Sequence, residues 1–195
     1  MIFIILYYFN MENTKNEMPP YSKKFFTSLK QYLDTKLYFY GSIQRNDYLP
    51  NHSDIDVDIF TDNEASTIIK LQNFLGVKRY EFKKFVYRLH KTNKVVYGYK
   101  VKYKDPEHNF STEISIYNEK YKDIVLMEHN SKQNLPFYIS VLLIFFKTLY
   151  YNFSFLSKDT YSYIKKFLMN YMIEGKDVEF ITTELPKDKE KETEK

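Results

Sequence analysis

The chain of 195 residues is long enough for one domain that buries ~70% of its unfolded surface, with a small helical annex. It has no cysteine, which excludes a disulfide scaffold, a thiolate zinc site and a cysteine nucleophile, and favours a reducing, cytoplasmic setting. The net charge of +4 suits a phosphate-bearing partner but does not by itself announce nucleic-acid binding, and the 19% of aromatic residues makes rings the main source of core volume.

The opening MIFIILYYFN is apolar over nine residues, short of the ~20 that cross a bilayer, and lacks the basic region and cleavage site of a signal peptide. It reads as an edge strand or as an extension upstream of a start at Met11, and no membrane role is expected. A polar linker with a Pro-Pro pair, Asn13 to Pro20, follows. Residues 21–35 predict an amphipathic helix, because Phe25, Phe26, Leu29, Tyr32 and Leu33 recur at three-and-four spacing. The aromatic run 37-LYFYG-41 predicts a short strand ended by Gly41, and 54–60 a second strand with clear alternation. Residues 63–75 predict a helix capped by Asp62 or Asn63, with Ile68, Leu71, Phe74 and Leu75 inward.

Strand-like runs follow at 79–89, 94–104 and 111–117. The middle run alternates Lys100, Lys102 and Lys104 with Tyr99, Val101 and Tyr103, the pattern of a sheet with one wet, basic face. From Pro136 the pattern turns helical, over Phe137 to Tyr151 and over 159–172, and 184-ELPKDKEKETEK-195 is a charge-alternating tail. The chain therefore divides into an extension over 1–20, an α/β core over 21–130, a C-terminal helical segment over 131–175 and a disordered charged tail over 176–195. The expected fold class is α+β: a mixed β-sheet with flanking helices and a helical annex.

The chemistry is concentrated in 40-YGSIQRNDYLPNHSDIDVDIF-60. Residues two apart on a strand share a face, so Asp54, Asp56 and Asp58 stand together while Ile55, Val57 and Ile59 face the core. Clustered carboxylates repel unless cations neutralise them, and Mg²⁺ takes one or two carboxylates plus substrate phosphates. Alternating acids on an exposed strand face are also compatible with plain solvation. The Gly41-Ser42 turn tips the balance, since it lets backbone N–H groups and a hydroxyl approach a phosphate.

Gly41-Ser42, the ten-residue loop from Ile43 to His52, and Ser53-Asp54-Ile55-Asp56-Val57 resemble the signature of the DNA polymerase beta-like nucleotidyltransferases, the minimal type in particular. The resemblance covers roughly residues 21–117. It implies that Asp54 and Asp56 hold two Mg²⁺ ions, with Mn²⁺ as a substitute, and that Gly41 and Ser42 hold the phosphates of an NTP (ATP or another) or dNTP. It also implies a third acid on a later strand, as a metal ligand or general base. Glu113 in 111-STEISIY-117 is the best match, although Thr112 precedes it where the pattern has a bulky apolar residue and Glu stands for the commoner Asp.

The implied activity is metal-dependent transfer of a nucleoside monophosphate to a hydroxyl, with release of pyrophosphate. The alternative is a module of the same fold that binds nucleotide or a protein partner without turnover. Arg45 is assigned to nucleotide binding, with pairing to Asp47 as the competing role. Asp58 is expected outside the chemistry, as an outer-face carboxylate or one supporting the ligands from behind. His52, His90, His108 and His129 lack metal-ligand spacing and read as surface or loop residues, although His52 adjoins the acidic strand. Lys100, Lys102 and Lys104 fit either phosphate binding or a solvated face. The acceptor is left open, among protein, small molecule and nucleic acid.

Overall fold

The structure, a computed structural model, describes residues 11–89, 91–172 and 180–184. The opening decapeptide, His90 and residues 176–179 and 185–195 of the expected tail lie outside the described residues. Among the described residues six strands form one mixed sheet in the order β1-β2-β5-β4-β3-β6: β1 Tyr38–Tyr40, β2 Ile55–Thr61, β3 Lys83–Arg88, β4 Val95–Asp105, β5 Phe110–Asn118 and β6 Phe180–Glu184. The pair β2–β5 is parallel and the other four pairs are antiparallel. The helices are α1 Pro20–Leu33, α2 Glu64–Leu75, α3 Lys122–Ser131, α4 Phe137–Tyr151 and α5 Lys158–Met172. Among the described residues no helix is long and apolar enough to cross a membrane.

Local chemistry accounts for most boundaries. Pro20 opens α1 at a position whose N–H has no helical partner, and Asp34 closes it in the left-handed conformation. Asn63 caps α2 by accepting the Ser66 N–H at 3.0 Å, and Gly76 ends it at φ 67°. Phe26, Leu29 and Leu33 of α1 pack with Ile68, Leu71 and Leu75 of α2 over Ile55, Val57, Ile59, Ile114 and Ile116 of the sheet. Each such fully buried side chain contributes about 2 kcal/mol.

The opposite face carries the acids. Its far end is apolar: Tyr38, Phe60, Phe85, Tyr87 and Tyr117 are covered by Val125 and Leu126 of α3 and by Met11. Its near end, around Tyr40, Asp56 and Glu113, opens on a cavity towards α5. The α4–α5 hairpin buries Ile139, Leu143 and Leu168 between its helices.

Several expectations shift. The run 79–89 splits into a 3₁₀ turn at Arg79–Glu81 and β3. Strand β2 starts at Ile55, which leaves Asp54 as the last loop residue. Helix α3 has no periodic signature in the sequence, because 124-IVLM-127 is a continuous apolar run. Within the segment 176–195, read as a disordered tail, Phe180–Glu184 form β6 and pair with β3. The linker is also more than a tether. Asn16 Nδ2 donates to the carbonyls of Ile43 and Arg45 at 2.9 and 2.7 Å, and the Lys15 N–H donates to Gln44 Oε1 at 3.0 Å. These bonds strap the Gly-Ser turn from outside.

Candidate active site

Gly41 to Gln44 form a 3₁₀ turn directly after β1, with Gly41 at φ 73°. A Cβ at Gly41 would lie 2.1 Å from Asp56 Oδ2, so glycine is required both by the backbone and by the carboxylate packed against it. Gly41→Ala is therefore expected to push Asp56 aside and lower any activity that depends on that carboxylate about 100-fold. Initial rates, with circular dichroism to show that the fold persists, check this.

The strands set the acids in rows. Asp56 lies opposite Tyr40 on β1 and Glu113 on β5, and Glu113 lies opposite Lys102 on β4. One row deeper stand Tyr38, Asp58, Ser115 and Lys100. Glu113 thus sits beside Asp56, the position at which the resemblance places a third acid. The Thr112 substitution has a local reason: its hydroxyl donates to the Ile55 carbonyl at 2.7 Å, tying β5 to β2 next to the acids.

Each carboxylate has a different environment. Asp54 accepts a hydrogen bond from Ser111. Glu113 is bracketed by Lys102 at 3.2 Å and Lys100 at 3.5 Å, so both lysines neutralise an acid, Lys100 from a largely buried position and Lys102 while still 63% exposed. Asp56 makes no hydrogen bond or ion pair among the described residues. Burial, with repulsion from Glu113 and Asp54, pushes its carboxyl up to about 7 against the attraction of Lys165 and Arg45. An unpartnered carboxylate held against a glycine, with Asp54 and Glu113 as its neighbours, has the donor chemistry for a divalent cation, although the ligand atoms of the three acids are not gathered within 4.8 Å of one another. A separate group, Asp105, Glu107 and His108, has its ligand atoms within 4.8 Å of one another, but it is a half-exposed to exposed loop. There Asp105 accepts the N–H groups of the other two.

Asp58 is fully buried, which removes the outer-face alternative; it stands behind the site. His129 is the clearest miss. It lies on α3 with its side chain 11% exposed, and its Nε2 is 2.8 Å from Asp58 Oδ2. Its ring stacks on Tyr40 at 4.0 Å. No spacing rule links His129 to residue 58; only the packing of α3 on the sheet does. His52 stays near the surface, with its ring 5.2 Å from that of Tyr151.

Arg45 takes the pairing with Asp47 weighed against phosphate binding. Its Nε and Nη2 donate to Asp47 Oδ1 and Oδ2 at 2.7 and 3.1 Å, and both residues are buried. Lys147 of α4 joins them, 3.0 Å from Asp47 Oδ2, and donates to Ser53 Oγ at 3.2 Å. This cluster rivets the annex to the loop that delivers Asp54.

Two cavities meet at Asp56. One, of about 330 Å³, runs from Gly41 and Glu113 to His129 and Met169 and has aromatic walls in Tyr40, Phe85, Tyr87 and Tyr117. The other, of about 250 Å³, is polar and joins Ser42 and Asp54 to Lys158, Tyr161, Ser162 and Lys165 of α5. Lys158, Tyr161, Ser162 and Lys165 follow helical three-and-four spacing, a polar stripe that a periodicity reading of 159–172 could have found.

Residues 22–173 match the family described as Nucleotidyltransferase domain. The chain belongs to the nucleotidyltransferase domain family. No curated protein and no solved structure matches it. Membership makes the chain a transferase domain whose family chemistry is transfer of a nucleoside monophosphate. The match runs through α4 and α5, so the annex that supplies Lys147 and the polar stripe is part of the domain.

Proposed function

We propose that this domain is an active, divalent-metal-dependent nucleotidyltransferase that moves NMP from an NTP or dNTP to a hydroxyl acceptor. The observation that carries the reading is the position of Asp56, unpartnered against Gly41 in the wall between a lysine-lined and an aromatic cavity. The lysine-lined cavity suits the triphosphate. Lys158 and Lys165 make no hydrogen bond or ion pair among the described residues, and the Ser42 hydroxyl is likewise unengaged there. Tyr150, Tyr151 and Tyr161 give this cavity an aromatic side suited to a base, with Tyr161 itself stacked on Tyr150. The aromatic cavity suits the acceptor, and its size is that of a small molecule or one inserted side chain.

A cation held by Asp54, Asp56 and Glu113 would neutralise charge developing on the phosphoryl oxygens. The protein's part is placement. Lysines and Ser42 fix the phosphates, the cavity wall fixes the acceptor, and the acceptor oxygen bonds the α-phosphorus as the bond to the β-phosphate breaks. The lack of cysteine suits a cytoplasmic setting. The Lys100 and Lys102 contacts to Glu113 favour a second reading, a nucleotide-binding module without turnover, because they occupy the third acid.

Incubation with each NTP and dNTP plus Mg²⁺ or Mn²⁺, against protein, RNA, DNA and small-molecule acceptors, separates the two. Pyrophosphate release and label transfer that vanish in Asp54→Ala and Asp56→Ala are expected. Activity unchanged in both variants would remove the metal assignment, and nucleotide binding without release would establish the module.

A further inference from the structure

Among the described residues, the buried side-chain polar atoms without a hydrogen-bond partner belong to Asp58, His129 and Gln133. His129 and Gln133 line the aromatic cavity that also holds Asp56 and Glu113, and Asp58 lies directly behind His129. Unpaired buried polar groups are costly and few in native proteins; here His129 Nε2 and Asp58 Oδ2 face each other behind the cavity, which leaves the other ring nitrogen of His129 and the Gln133 amide as the groups a ligand in the cavity can meet.

His129 is held for a particular task. Tyr40 stacks on its ring with planes 17° apart, and Nε2 sits 2.8 Å from Asp58 Oδ2, in ion-pair range but off the angle of a hydrogen bond. A carboxylate beside Nε2 favours the tautomer with its proton there, which leaves Nδ1 as the basic nitrogen. Nδ1 makes no hydrogen bond among the described residues. The other base bordering the cavity, Glu113, already has both oxygens within reach of lysines. Charged groups facing the cavity are Asp56 on β2, Glu113 on β5, Lys100 on β4, Lys132 just past α3, and Arg45 after the Gly-Ser turn, which is paired with Asp47. Lys132 is itself tied to Glu128 at 2.9 Å.

We infer that His129 takes the proton of the acceptor hydroxyl, with Asp58 as the residue that positions it. This rests on the nucleotidyltransferase reading above. In the step, the acceptor O–H bond breaks and its proton passes to Nδ1. The oxygen forms a bond to the α-phosphorus, and pyrophosphate leaves with the electrons of the broken P–O bond. The imidazolium then returns its proton to solvent.

The test uses the full chain with Mn²⁺, an NTP and water as the acceptor probe, read as release of NMP and pyrophosphate. His129→Gln is expected to slow release about 100-fold without changing nucleotide affinity, and added imidazole to restore part of the rate to His129→Ala. A rate within a few-fold of wild type, or a loss that imidazole does not rescue in a variant with native circular dichroism, would overturn the inference. Nitrogen-15 NMR of the ring, assigned with His129→Gln, gives a readout independent of turnover. The Nε2–H tautomer is expected, and a proton on Nδ1 at the assay pH would overturn it. Absence of release by the wild type itself would count against the transferase reading, and the NMR result would still decide the tautomer.

Discussion

Asp47→Ala is expected to destabilise the protein by about 3–5 kcal/mol, read as a fall in the urea midpoint without a change in slope. Asp47 is fully buried between Arg45 and Lys147, which are themselves 6% and 2% exposed. Removing it leaves two buried cations facing each other with no counter-charge. Lys147→Met should cost less, about 1–2 kcal/mol, because the paired hydrogen bonds from Arg45 to Asp47 survive and the methionine stem fills the same space. A larger loss for Lys147→Met than for Asp47→Ala would refute this account of the cluster.

The same cluster sets an acid limit. Burial alone would raise the Asp47 carboxyl, but the hydrogen bonds and charges of Arg45 and Lys147 overcome it and hold it at about 2, below the ordinary 3.8. A lowered carboxyl contributes stability that is present above the unfolded value and lost as pH falls through the folded one. The window is therefore roughly pH 4 to 2, and the amount about 2 kcal/mol at ~1.4 kcal/mol per pKa unit. Denaturation midpoints of wild type should fall across that window, and those of Asp47→Ala should fall less.

How far the sequence disclosed the molecule follows from the range of the forces involved. Alternation and helical spacing are local, so β2, β4, β5, α1, α2 and α4 were legible within a residue or two at most ends. The Gly41-Ser42 turn and the acids of 54–58 were legible because their chemistry demands short spacing. Glu113 was also found, since a strand with one polar face exposes its acid by alternation, and the register then set it opposite Asp56. What escaped was tertiary. The partnership of His129 with Asp58 spans 71 positions and depends on α3, whose apolar residues run together without a period. The tie of Lys147 to Asp47 spans 100 positions, and a lysine inside an apolar helix reads as an interruption until its buried partner is known. The linker looked idle because one asparagine whose side-chain amide donates to the carbonyls of Ile43 and Arg45 leaves no mark on composition.

Asp56→Asn should separate stability from activity. Asparagine keeps the shape beside Gly41 but removes the charge, so nucleotidyl transfer is expected to fall at least about 100-fold. The metal-free variant should nevertheless be more stable than wild type at alkaline pH. Burial and the neighbouring acids raise the Asp56 carboxyl to about 7, and a raised carboxyl gives stability that is complete below its unfolded value and lost as pH rises through the folded one. Wild type without metal should therefore weaken between roughly pH 4 and 7, and the variant should not. Mn²⁺ should reverse the order: it stabilises the wild type by occupying the deprotonated site, more strongly as pH rises to and beyond 7, and leaves the variant nearly unmoved. Thermal melts of both proteins across this pH range, with and without Mn²⁺, check all three statements together. An Asp56→Asn variant less stable than wild type at high pH without metal would mean that the carboxylate is satisfied by the protein, and the cation assignment would lose its main support.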